Sequence, residues 1–221
     1  METNQPRTPQ QDRSIATKQQ LFQAALELFA EQGYHHTNTK KIAARAGIAV
    51  GSFYAYYRNK KEVFLEVIQY YYQRIQQTAF AGGLNPQGAE QLNIESVGRP
   101  TIESPGNPRE FLADLLRKLY EAHDITPQLH REITGMRYSD PEVDKLISTA
   151  ETATIYTIRK LLESMGPAIA VEDVEAAAHV VHRSAEEVIH SIKIFGTSID
   201  PERLLAELQR MLERYLLGAG S

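Results

Sequence analysis

Between Asn38 and Tyr57 the chain has to start a helix, stop it at one residue and start another almost at once. Few folds accommodate that. Asn38 carries the short amide side chain of a helix N-cap. Ile42, Ala43 and Ala46 then recur at helical spacing as a small apolar face. Gly47 ends the helix, because glycine accepts the left-handed backbone of the position after the cap. Ile48 can plug the core at the turn, and Gly51-Ser52-Phe53-Tyr54-Ala55-Tyr56-Tyr57 continues as a short second helix crowded with aromatics, about Val50 to Tyr56. A small residue at Ala43 lets the two helices cross closely. Helix, tight turn and helix in this order is the arrangement that lays a second helix in the DNA major groove.

The flanks extend the pattern. An amphipathic helix is expected over about Ile15 to Gln32, with Leu21, Phe22, Ala25, Leu28 and Phe29 on one face and Gly33 as its stop. After Arg58-Asn59-Lys60-Lys61, a new helix carries Val63, Phe64, Val67 and Ile68 and should run from about Lys60 to Phe80. The blocks Ala24–Tyr34, Lys41–Ile48 and Gly51–Lys60, in this order and spacing, resemble the DNA-binding domain of the tetracycline-repressor (TetR) family over about Thr17 to Ile68. A lone helix-turn-helix pattern is weak; three consecutive matching blocks are specific. The resemblance implies an all-α protein. It would have a three-helix DNA-binding head, a larger helical body that binds a small-molecule effector, and a dimer made by packing the last two helices into a four-helix bundle.

Composition agrees with that division. The net charge of -4 conceals two halves: residues 1–61 hold 9 Lys and Arg against 4 Asp and Glu, and residues 62–221 hold 15 against 24. A head of +5 can meet phosphates while a body of -9 stays clear of them. There is no cysteine, so neither a disulfide nor a thiolate metal site can form. No apolar leader precedes the head and no run is long enough to span a bilayer, so a cytoplasmic protein without membrane contact is expected. The domain division expected is a disordered tail at 1–14, the head at 15–61, and the body at 62–217 interrupted by a glycine- and proline-rich loop at 82–107.

The body reads as helix throughout. Helices are expected from Pro108 to about His123, from Pro127 to about Met136, from Asp140 to Gly166, from Glu172 to Phe195, and from Asp200 to about Leu217. The last helix has two apolar stripes, Leu204, Leu208, Met211 and Tyr215 beside Leu205, Leu212 and Leu216. In the helix before it Val174, Ala178, Val181, Ala185, Val188, Ile192 and Phe195 share a face, with Ala177 and Val180 beside them. A helix that is apolar on two sides is buried on two sides. One side can meet the body and the other a second copy, which makes Val181, Val188, Ile192, Leu204, Leu208, Met211 and Tyr215 the expected dimer seam.

For DNA, Ser52 can bond a phosphate or a base edge, and Thr39 and Lys40 open the supporting helix where N–H groups and positive charge favour a phosphate. The resemblance adds Tyr54 and Tyr56 as contacts, and Lys60 as a phosphate clamp at the start of the fourth helix. Ala49 and Val50 stand where relatives carry base readers. Arg45 and Lys41 are further candidates; Phe53 and Tyr57 belong to the core. The effector pocket is expected between Tyr70 and Phe195, walled by Phe111, Leu115, Leu119, Ile133, Tyr156 and Val188, with Arg137 and Tyr156 orienting a lipophilic or aromatic molecule. His179 and His182 stand at metal-binding spacing, but without cysteines or suitably spaced carboxylates neither a metal nor a cofactor is expected. No phosphate loop or nucleophile elbow is present, and Glu186 with His182 and His190 reads equally as a surface ion-pair ladder, so no enzyme is expected. The sum is a ligand-responsive homodimeric regulator, a repressor released from a palindromic operator. The alternatives are a helical small-molecule-binding protein or enzyme whose DNA-binding head does not function, and an architectural DNA binder without a ligand.

Overall fold

The computed structural model describes residues 9–80, 107–123 and 127–218, with side chains from 13 onward. Nine α-helices and no strand occur among them: α1 (Pro9–His36), α2 (Thr39–Arg45), α3 (Val50–Phe53), α4 (Lys60–Phe80), α5 (Pro108–Ala122), α6 (Pro127–Arg137), α7 (Pro141–Met165), α8 (Val174–His190) and α9 (Pro201–Leu217). The all-α expectation holds. The first helix begins at Pro9, so residues 9–14 are helical rather than part of a tail. The expected loop at 82–107 lies outside the described residues except for Asn107, which caps α5.

The caps explain the boundaries. Asn38, Asn107, Asp140, Asp173 and Asp200 each accept a backbone N–H of the turn they open. Gly33 sits at φ 79 and ψ 169, where a side chain is strongly disfavoured, and breaks α1 before its last three residues. Past His190 the chain tightens no further into α-helix; Ser191–Phe195 widens into one π-helical turn that ends at Gly196.

Two cores occur among the described residues. The first joins Leu21, Phe29, Ile42, Phe53, Phe64 and Ile68 of the head to Tyr71, Leu129, Ile133 and Val143. The second joins the end of α4 to α5, α7, α8 and α9 through Phe80, Leu116, Leu162, Ala178, Val181, Leu208 and Leu212. Helix α4 therefore belongs to both, and packing does not divide at residue 61. Head and body are also tied at the surface: Lys61 pairs with Asp140 at 2.8 Å and with Glu142, and Tyr34 donates its N–H to Glu132 of α6 at 3.3 Å.

Two of the expected seam residues are wrong. Val181 and Leu208 are buried inside their own chain. At 3.6 residues per turn, Leu208 lies only about 40° from Leu212 around the axis, which turns it to the inner side. Val188 also packs on the chain's own core. The large apolar side chains left exposed on α8 and α9 are Val180 at 46 %, Met211 at 47 % and Tyr215 at 41 %.

Candidate functional site

The turn between α2 and α3 is closed by two backbone bonds, Ile48 N–H to Ala43 O at 2.9 Å and Gly47 N–H to Ala44 O at 3.1 Å, with Gly47 at φ 68. That is the six-to-one and five-to-two pair of a Schellman stop. It fixes the angle at which the next helix leaves. Ala43 is fully buried beneath it, as the close crossing requires. The regular part of α3 is a single turn, shorter than the expected Val50 to Tyr56, and Tyr54–Tyr56 continue it as turns. Phe53 and Tyr57 go into the core.

Against this frame the expected DNA contacts divide. Lys40, Ala49, Val50 and Ser52 are exposed, and Tyr54 is 55 % exposed. The Tyr54 hydroxyl lies 3.1 Å from Thr39 Oγ1, so the two helices present paired hydroxyls at the start of α2. Tyr56 is half-buried against the core. Three of the candidate cations have partners within the chain. Arg45 holds Glu31 through both terminal nitrogens at 2.8 and 3.0 Å and reaches Glu27 at 3.2 Å, so in the free chain it is paired with carboxylates. Lys60 turns inward: its Nζ donates to Tyr34 O at 2.6 Å and stands 3.9 Å from the Tyr34 ring centre, and burial lowers its pKa. Lys41 is likewise held, by Gln32 and the His36 carbonyl. The charge count of the head could not show this, because it does not say which cations already have a partner.

The body contains a cluster of polar side chains. Tyr71 OH and His130 Nδ1 are 2.6 Å apart, the His130 and His190 ring centres are 4.3 Å apart, and the His123 ring lies tilted beside His190 at 5.2 Å. Across from them Glu151 takes four guanidinium bonds, at 2.6 and 3.0 Å from Arg137 and at 2.9 and 3.0 Å from Arg183. Burial alone would raise the Glu151 carboxyl, but the arginines bring it down to about 2. Glu186 has no such clamp; burial, then the Glu151 charge, pushes it up to about 7. Burial brings His130 and His182 down to about 4, with His123 and Arg183 respectively adding to it. His190 falls to about 2 from burial and then His130. These imidazoles are therefore neutral at physiological pH.

The expected pocket residues separate around this cluster. Phe111, Leu115, Leu119 and Val188 are partly buried on the second core. Ile133 belongs to the first core, so it does not share their wall except through Leu119, which touches both. Tyr156 is 38 % exposed beneath Arg159 and Lys160, on the surface rather than in a pocket. Arg137 is occupied by Glu151 and Asp144. Glu186 with His182 is not a surface ladder, since both are largely buried. Sequence reasoning missed Glu151, whose neighbours on α7 are ordinary; only the arrival of two arginines from α6 and α8 marks it.

Comparison with known proteins agrees with both halves. Residues 21–67 match the family model described as bacterial regulatory proteins, tetR family, and residues 107–216 match tetracyclin repressor-like, C-terminal domain. The fatty acid metabolism regulator protein of Bacillus subtilis (strain 168) is 40% identical over 50 residues, 23% of this chain and only 26% of that protein. The uncharacterized HTH-type transcriptional regulator YdgC of the same organism is 26% identical over 212 residues, 95% of this chain and 97% of its own. The solved structure of the fatty acid degradation regulator FadR from Bacillus halodurans superposes with a TM-score of 0.60 at 19% identity, covering 94% of this chain and 96% of that one, a likeness of fold.

Proposed function

The chain belongs to the bacterial tetR family of regulatory proteins, and from that premise we propose that it is a homodimeric repressor whose grip on a palindromic operator is set by a small molecule bound in the body. The observation that carries the reading is the head itself: a helix pair fixed by the Gly47 stop, with the Thr39 and Tyr54 hydroxyls paired and Lys40, Ser52 and Val50 exposed beside them. Hydroxyls and a lysine at a helix start position the protein on phosphates, while Ser52, Ala49 and Val50 meet base edges and thymine methyls.

The body supports the effector half. Its apolar wall of Phe111, Leu115, Leu119 and Val188 belongs to the same core region as α8, the helix that carries His182, Glu186 and His190. That pairing suits a molecule with an apolar part and one polar end. Helix α6 carries His130 toward the polar cluster and Glu132 toward Gly33 and Tyr34 of the head. A ligand that shifts α6 would re-aim the head, and its effect cannot exceed its differential affinity for the two arrangements. Two recognition helices must lie about 34–36 Å apart to enter successive major grooves. The seam between copies is best supplied by Val180, Leu204, Met211 and Tyr215. No helix among the described residues is long and apolar enough to cross a membrane, and a regulator of this kind acts on cytoplasmic DNA.

The test is fluorescence anisotropy with labelled duplexes from the DNA flanking the coding sequence, repeated over a range of salt. A slope of log affinity against log salt of several units, and a loss of affinity with a compound that also raises Tm, are the expected results. A compound that raises Tm but leaves operator affinity unchanged sinks the effector half of the reading for that compound. Binding that ignores salt sinks the DNA half.

A further inference from the structure

We propose that the effector is an uncharged molecule with an apolar frame and one hydroxyl or amide head. The head sits on His182 Nε2 and His190 Nε2 of α8, and the frame lies along Leu119, Leu115 and Phe111 of α5. The inference rests on the effector reading for the site, and names the ligand chemistry that the site takes. It stands first on two buried nitrogens. Four buried side-chain polar atoms lack a hydrogen-bond partner among the described residues, and two of the four are these Nε2 atoms. The His182 residue is 7 % exposed. A buried polar atom is normally bonded, and leaving it unpaired costs free energy that a ligand group can recover.

The two rings stand where a polar and an apolar stripe meet. His182, Glu186 and His190 follow one another at four-residue steps along α8. The His190 ring centre lies 4.3 Å from that of His130 on α6 and 5.2 Å from that of His123 at the end of α5. His123 Nδ1 is 2.7 Å from the Leu119 carbonyl, which can only accept, so this nitrogen carries the proton. From Leu119 the partly buried Leu115 and Phe111 continue at four-residue steps on one side of α5, over about 12 Å. Leu119 touches both cores, so the polar end of the site adjoins an apolar run.

The full charges at this stripe are paired with one another. Arg137 and Arg183 both hold Glu151, Arg137 also reaches Asp144, and Arg183 stands 3.4 Å from Glu186 Oε2. A carboxylate head would have to compete with Glu151 for the arginines. An ammonium head would have to compete with the arginines for Glu151 and Glu186. Burying either head without a partner is costly. Burial, with smaller contributions from neighbouring groups, also keeps His182 and His190 neutral at physiological pH. The Nε2 of a neutral imidazole either donates or accepts, according to tautomer. A hydroxyl or a primary amide does both and can serve either state; a ketone or an ether only accepts.

The experiment titrates the full chain at pH 7.5 with four probes that share one tail: octanol, octanamide, octanoate and octylamine. Calorimetry reads affinity and a melting curve reads Tm. Octanol and octanamide should bind and raise Tm, while octanoate and octylamine bind about a hundredfold more weakly or not at all. His182→Phe and His190→Phe keep a flat ring without the nitrogen. Each should weaken octanol by about three- to tenfold with circular dichroism unchanged, and His179→Phe, at an exposed position, should change nothing. The ranking of heads on the parent chain needs no variant. The proposal is overturned if neither neutral probe binds, if a charged probe binds as well as octanol, or if both substitutions leave octanol affinity unchanged. Operator affinity with and without octanol separates the two readings. Probe binding without DNA release sinks the effector role and leaves the ligand chemistry standing; salt-sensitive operator binding by a chain that takes no probe does the reverse.

Discussion

Replacing Gly33 by Ala tests how the head is joined to the body. Gly33 lies at φ 79 and ψ 169, a region that is essentially glycine-only and costs about 1–3 kcal/mol for other residues. A Cβ there would meet Glu132 Oε1 at 2.5 Å and its Cδ at 3.0 Å. The carboxylate is the far end of a flexible side chain, so it can swing away. Doing so gives up the bond from Tyr34 N–H, which at 3.3 Å and half-exposed is worth about 0.5–1.5 kcal/mol. Gly33→Ala should therefore destabilise by about 2–4 kcal/mol. For a chain of this size that is a fall in Tm of roughly 4–16 °C. Urea denaturation followed by circular dichroism measures it. On a Glu132→Ala background the same substitution should cost only the backbone part, about 1–3 kcal/mol. A Gly33→Ala protein as stable as the parent would refute the strained-backbone argument. A cost that is identical with and without Glu132 would refute the contact between α1 and α6.

Lys40→Ala should weaken binding to all duplexes alike and flatten the salt slope by about one unit, whereas Arg45→Ala and Lys60→Ala should lower Tm and leave the slope unchanged; anisotropy over a salt series and a melting curve separate the two outcomes. Glu186→Gln should raise stability at pH 7.5. The folded pKa of about 7 exceeds the ordinary 4.5, so folding loses stability as pH rises from 4.5 toward 7, by an amount on the order of 3 kcal/mol that the amide escapes. His130, His182 and His190 act in the opposite direction. Their folded values lie below 6.5, so stability is full above 6.5 and falls as pH drops toward 4, and an unchanged Tm at pH 5 would contradict their burial as neutral rings. Met211→Asp with Tyr215→Asp, on the exposed side of α9, should yield a folded monomer by sedimentation, whereas Leu208→Asp should unfold the chain.

Local chemistry made the head legible in the sequence. Asn38, Gly47 and Ala43 each do in the structure what their side chains dictate over a few residues, and the helix periods of the body were as regular. What escaped was set by partners distant in the chain. Lys60 and Arg45 are cations in a basic head, and nothing near them in sequence says that Tyr34 O and Glu31 already hold them. Leu208 groups by spacing with the stripe of Met211 and Tyr215, and only the packing of α9 against α5 and α8 turns it to the inner side. The polar cluster needed α4, α6, α7 and α8 to converge, which no spacing in one helix can announce. Tyr156 looked inward by period but lies under two surface cations.

The central claim is that two copies of this head read one palindromic site. Selection of the full chain against a pool of random duplexes, with sequencing of the retained DNA, tests it most directly. The expected result is an inverted repeat whose half-sites are centred about one helical turn, 10–10.5 base pairs, apart or a multiple of it. The repeat should be lost when the pool is selected at high salt and weakened with Tyr54→Ala. Retained DNA with no repeat, or enrichment indifferent to Tyr54, would contradict it.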